Sequence, residues 1–174
     1  MPRAGLAEAG RDLLRAAVAD EATAARFHAH TVHVPSAYCT VWWRGAVSGR
    51  GHGRFWLGQV AGRDVVVIAH RFAYALAHGA DALEQVPLLG HRCDNPLCQV
   101  VGPGHVEPST AWRNRHEWVM RRATVGGALR DSRGARGRAR AIRDALRQDP
   151  SIDSLEAAAR VGLAADLDQL PLWE

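Results

Sequence analysis

Apolar residues recur near helical spacing over residues 3–27, where Leu6, Leu13, Leu14, Ala17 and Val18 punctuate an Ala-rich stretch, and this predicts one or two packing helices. From Tyr38 the period changes. β-branched and aromatic runs separated by Gly-rich turns predict two or three short antiparallel strands before residue 69. A helix follows from Ala69 to His78, ended by Gly79. Residues 88–105 lack any regular hydrophobic pattern and are crowded with Gly, Pro, Asn and Asp, so tight turns and a bound metal must shape them. Ser109 or Thr110 then caps a helix through residues 111–123. Beyond Gly126 the chain reads as a Gly/Arg-rich connector, and residues 138–163 as two short helices broken at Asp149 and Pro150. No internal repeat is present.

With 174 residues the chain suits one compact domain with helical extensions and one active site. Its net charge of +4 understates a local asymmetry, because all 22 basic residues are arginine and residues 113–147 hold eleven of them against Glu117, Asp131 and Asp144. The absence of lysine beside abundant Ala and Gly reads partly as the codon bias of a GC-rich genome. The clustering is the stronger signal and suits a polyanion, although solvated tails share it. No apolar stretch approaches the roughly 18 residues that span a bilayer, and the N-terminus carries acids where a signal peptide has its apolar core. A cytoplasmic location is therefore expected. Three cysteines cannot all pair within one chain, and in a reducing compartment closely spaced thiols suit a metal.

Cys93 and Cys98 share one tight loop, His105 follows seven residues later, and Cys39 lies upstream at the start of the first strand. Together they supply the four ligands of a closed tetrahedral zinc site and use every cysteine. The plainer alternative is three buried free thiols and a loop histidine. The loop has no apolar filler to sustain that packing, which favours zinc.

The run His91-Arg92-Cys93-Asp94-Asn95-Pro96-Leu97-Cys98, followed by His105 and Asn114, resembles the zinc-bearing branch of the HNH, or His-Me finger, endonucleases, which includes the His-Cys box homing enzymes. Cys39 with Trp42, then Gly51-His52-Gly53-Arg54-Phe55, then Ala69-His70-Arg71, follow in that branch's order. The resemblance spans about residues 37–122. It implies an α+β fold, a zinc-stabilised ββα-metal core with N-terminal and C-terminal helical extensions. The corresponding divisions are 1–34 for helical support, 35–124 for the zinc-bound nuclease core, and 125–174 for the Arg/Gly-rich linker and helical tail.

The resemblance also assigns roles. His91 becomes the general base that deprotonates the attacking water, a task suited to an imidazole near neutral pH. Asn114 becomes an amide-oxygen ligand of a catalytic Mg²⁺ or Mn²⁺, and Arg54 offsets charge on the phosphate. Cys39, Cys93, Cys98 and His105 hold structural zinc. His70 and Arg71 are secondary candidates, and Glu117, one helical turn from Asn114, is placed to orient it. Arg113, Arg115, Arg121 and Arg122 are expected to contact double-stranded DNA, and a double-strand cut by one site per chain favours a homodimer. Three departures stand out: Gly90 precedes His91 where many HNH enzymes carry an acidic ligand, the loop from Cys98 to His105 exceeds the usual spacing, and His52 replaces a customary Tyr and is given no catalytic role. His28, His30 and His33 lack a nearby cysteine or acid and read as solvated or packing residues. Trp42, Trp43, Trp112 and Trp118 are expected to fill the core around zinc. The competing functions are a zinc-stabilised, non-catalytic DNA-binding module and a nuclease directed at RNA.

Overall fold

The computed structural model describes residues 8–124 and 127–163. Two helices open it, α1 (Glu8–Ala19) and α2 (Glu21–Ala29), divided at Asp20, whose carboxylate accepts the Thr23 amide at 2.8 Å as an N-cap. Three antiparallel strand pairs follow: β1 (Thr31–His33) with β2 (Val41–Trp43), β3 (Arg54–Val60) with β4 (Arg63–Ile68), and β5 (Leu88–His91) with β6 (Val106–Ser109). Helices α3 (Ala69–His78) and α4 (Ala80–Gln85) lie between the second and third pairs. α5 (Ala111–Arg121) follows β6, and α6 (Gly134–Gln148) and α7 (Ile152–Arg160) form a C-terminal pair. The architecture is thus mixed α+β, with small two-stranded sheets. Among the described residues no helix is long and apolar enough to cross a membrane.

The predicted helix at Ala69–His78 and its stop at Gly79 occur as expected, and Gly79 takes a positive φ of +92°, a backbone conformation that an L side chain would strain. Strands β1, β5 and β6 were absent from the sequence expectation. Each is three or four residues long, too short for alternation to register, and β5 and β6 flank the turn-rich segment that was expected to be irregular throughout.

Aromatic side chains build the centre. Phe27, Trp43, Phe55 and Phe72 are buried and pack ring to ring, with centroids between 4.7 and 6.2 Å apart. Trp43 fixes how the chain folds around it: a Cβ at Gly53 would lie 2.5 Å from the Trp43 ring and 2.8 Å from Ala69 Cβ. Only glycine lets the start of α3 reach this strand, where the Ala69 amide donates to the Gly53 carbonyl at 2.9 Å. Trp42 and Trp43 meet the expectation of core packing. Trp112 and Trp118 do not, being 75% and 43% exposed. The reason is that α5 buries no residue and turns only Asn114, Glu117 and Arg121 partly inward.

The C-terminal helices are tied together by a buried charge cluster. Asp131 is fully enclosed and receives Arg133 at 2.7 Å and Arg138 at 3.5 Å, while the same two guanidinium groups donate to the Ala158 and Ala159 carbonyls of α7. Those carbonyls are the orphan acceptors at a helix C-terminus, where positive charge is favourable. Burial pushes the Asp131 carboxyl upward, but the Arg133 hydrogen bonds and both positive charges outweigh it and hold the pKa below the usual carboxylate value.

Asp131→Asn is expected to destabilise the protein by about 3 kcal/mol at neutral pH, because it leaves two partly buried guanidinium groups without a counter-charge. A carboxylate whose folded pKa is lowered contributes stability at neutral pH, and that contribution is lost as pH falls below the ordinary carboxylate value toward the folded one. Denaturant melts of wild type and variant at pH 7 and pH 3 should therefore show a gap that narrows in acid. An equal gap at both pH values would contradict the role given to Asp131.

Candidate metal and histidine centre

The four ligand candidates are delivered by local turns. Asn95 to Cys98 forms a β-turn, with the Cys98 amide donating to the Asn95 carbonyl at 3.1 Å and Pro96 at the position where a fixed φ helps. The Asn95 side chain accepts the Leu97 amide at 3.2 Å and donates to Cys39 Sγ at 3.3 Å, so one buried amide shapes the loop and contacts a ligand atom. Cys39 arrives through a second turn, in which its amide donates to Ser36 Oγ at 3.1 Å. The loop then pairs with β2, the Trp43 amide donating to Leu97 and the Gln99 amide to Val41. His105 is returned by a third turn, with its amide on the Gly102 carbonyl at 3.1 Å and positive φ angles at Gly102 and Gly104.

The outcome brings one ligand atom each from Cys39, Cys93, Cys98 and His105 within 4.8 Å of one another, and this group could hold a metal such as zinc. Cys98 Sγ lies 3.6 Å from His105 Nδ1. Without a cation the thiols compete. Hydrogen bonds from Cys39 and Cys98 pull the Cys93 pKa far below the ordinary thiol range. The contact with Cys93 pushes Cys39 up to about 12, and Cys39 and Cys93 together push Cys98 higher still. One thiolate is accommodated and its neighbours are kept protonated. A divalent cation removes that conflict, because it neutralises the charge that the second and third thiolates would add.

A second cluster adjoins the first. His52 precedes β3, His70 occupies the first turn of α3, and His91 ends β5. His91 Nε2 and His70 Nδ1 are 3.0 Å apart, and the His52 ring stacks on His91 with centroids 5.5 Å apart. The Gly53 contact with Ala69 is what places His52 against His70. Desolvation drives the His70 pKa well below its ordinary value, reinforced by His91, His52 and Arg71, so His70 is neutral at physiological pH. His91 Nδ1 is buried without a hydrogen-bond partner among the described residues.

Asn114 lies over the residue before His91: a Cβ at Gly90 would sit 3.0 Å from Asn114 Oδ1. The glycine at position 90 therefore gives Asn114 its room. Glu117 shares the inward face of α5, but it pairs with Arg92, with Arg113 at 2.9 Å and with Arg121 at 3.5 Å. Arg121 also donates to Asp94 at 2.7 Å and reaches the His91 carbonyl at 3.5 Å, so this network fastens α5 to the loop bearing His91 and Cys93. Arg113 is further engaged by Glu107 at 3.0 Å. Arg115 is exposed, and Arg122 lies over the Trp118 ring at 4.7 Å. Arg54 is exposed at the start of β3, two residues after His52, and Arg71 follows His70. His28, His30 and His33 are exposed and lie outside both clusters.

The expected grouping of Cys39, Cys93, Cys98 and His105 is present; His70 was only a secondary candidate beside His91, and His52 was given no role. Its only signal was a histidine flanked by glycines ahead of a strand. No known protein family, curated protein or solved structure matches the chain.

Purified protein is expected to carry one zinc per chain after dialysis against a weak chelator, measured by elemental analysis. Cys98→Ser should drive the zinc content toward zero and cause unfolding or aggregation, because binding free energy at such a site is folding free energy. A metal-free wild-type protein with a sharp melting transition would contradict this.

Proposed function

We propose that the protein is a metal-dependent endonuclease of the zinc-bearing HNH type, hydrolysing phosphodiester bonds in double-stranded DNA. The single observation that carries this reading is the convergence of His91, Asn114 and a Cys₃His cluster around one β-loop-β-α segment, β5 through α5. That order and packing suit a ββα-metal core. Structural zinc would be held by Cys39, Cys93, Cys98 and His105 and would keep the loop bearing His91 in register with α5.

In hydrolysis the attacking water loses a proton to the His91 imidazole as its oxygen bonds to phosphorus, and the bond to the leaving oxygen breaks. His70, neutral and 3.0 Å away, fixes the orientation of that ring. Arg54, exposed on the strand next to the histidines, is available to a phosphate as a planar double donor. Asn114 Oδ1 would hold one hard divalent cation, Mg²⁺ or Mn²⁺, which when bound would supply Lewis-acid stabilisation of charge at the phosphate and leaving oxygen. With Asp94 and Glu117 engaged by arginines, Asn114 would be the side chain that holds such a cation, with phosphate oxygens and water as the remaining donors.

Affinity for duplex DNA rests on arginines left to solvent, Arg115, Arg122, Arg136 and Arg140, together with Arg113 and Arg121 at the edge of their ion-pair network. A cytoplasmic enzyme acting as a homodimer suits double-strand cutting.

His91→Ala is expected to lower the cleavage rate of supercoiled plasmid in Mg²⁺ by about 10² to 10⁴, the usual worth of general-base assistance, with DNA affinity and zinc content nearly unchanged. Asn114→Ala should lose comparable rate but recover part of it at raised Mg²⁺, since it weakens a ligand and leaves the base intact. Undiminished cleavage by His91→Ala would overturn the mechanism. Loss of zinc in that variant would instead make His91 a structural ligand.

A further inference from the structure

The nuclease reading uses His91 and His70 but leaves His52 without a task, although the three form one group. Each offers a ring nitrogen, and those nitrogens lie within 4.8 Å of one another. The set comes from three separate elements and is assembled by the close approach of Gly53 to Ala69. His70 is 4% exposed, while His52 and His91 are partly buried.

Ring geometry favours coordination over simple packing. His70 lies steeply across both neighbours, at 64° to His52 and 81° to His91, its Nδ1 meets His91 Nε2, and the His52 ring is nearly parallel to His91 at 18°. His70 Nδ1 and His91 Nε2 are 3.0 Å apart, close to the roughly 3.3 Å that separates two nitrogens each about 2.0 to 2.1 Å from one tetrahedral zinc ion. No carboxylate belongs to the group. A nitrogen-only set selects borderline cations such as Zn²⁺, Co²⁺ or Ni²⁺ and has little affinity for Mg²⁺ or Ca²⁺, which require oxygen.

The geometry points to a second metal site, in which His52, His70 and His91 together bind one borderline transition-metal cation, separate from the Cys₃His group. His52 has the largest movement to make, closing in from the edge of the cluster as the cation enters. Three protein ligands leave at least one coordination position for water or a phosphate oxygen, as in open sites. A cation there occupies the His91 lone pair. On the nuclease reading, and resting on it, the same cation therefore suppresses hydrolysis, and free zinc acts as an inhibitor through the residue that zinc elsewhere holds in place.

The binding claim is tested without any cleavage assay, so its failure and that of the nuclease reading remain distinguishable. Protein carrying one zinc per chain is titrated with Co²⁺, followed by calorimetry and visible absorption, with retained zinc measured after gel filtration. The expected result is one further equivalent of cobalt with nitrogen-type ligand-field bands and no thiolate charge-transfer band, while zinc stays bound. His52→Phe should weaken that cobalt at least tenfold and keep the first zinc. His91→Ala should do the same; if it fails to fold, His52→Phe, changed at a partly exposed position outside the strands, carries the comparison. Absence of a further equivalent in wild type, cobalt taken up only as zinc leaves, or equal cobalt affinity in wild type and His52→Phe would each overturn the proposal.

Discussion

Three thiols and an imidazole held within 4.8 Å, with pKa values driven in opposite directions, are the constraint on which the rest of this centre depends. Charge cannot accumulate there without a cation, and neutral thiols alone make poor packing for a loop with no large apolar side chain except Leu97. A metal bound there would supply what a hydrophobic core supplies elsewhere. It would join Cys39 from the turn before β2 to Cys93 and Cys98 after β5 and to His105 before β6. Once those points are fixed, the β5–β6 register places His91 opposite Val106 and brings α5 across Gly90.

A second constraint is steric and works from the other side. Trp43 fills the space between Gly45 and Gly53, and a Cβ at either position would fall 2.5 Å from its ring. The same glycine at 53 admits Ala69, so the aromatic core and the histidine cluster are set by one contact. The ion pairs of Arg92, Arg113 and Arg121 with Glu107, Glu117 and Asp94 close the third side. Individually such partly exposed pairs contribute little, but as a network they hold a helix that buries no residue of its own.

The legible parts of this design are those written locally. Ala69–His78 was readable from its apolar spacing and the glycine after it, and the α5 cap was confined to two residues, of which Thr110 accepts the Arg113 amide. The grouping of Cys39, Cys93, Cys98 and His105 was readable because thiol chemistry restricts what closely spaced cysteines do. What escaped was non-local. β5 and β6 pair across the whole metal loop, Leu88 opposite Ser109, so neither strand carries a pattern of its own. His52 acquires meaning only through a tertiary approach that Gly53 permits. Arg113 and Arg121 read as free cations in a basic run, yet acids at positions 94, 107 and 117 occupy them. Trp112 and Trp118 read as core for want of other apolar material, and they lie on the outer surface of α5.

The central claim is that the thiols and His105 hold one zinc ion that organises everything beside it. X-ray absorption at the zinc edge, on protein carrying one equivalent, tests it most directly. The account predicts a first shell dominated by sulfur at about 2.3 Å with a single nitrogen at about 2.0 to 2.1 Å. A shell of nitrogen and oxygen alone, with the thiols still free to react, would contradict it.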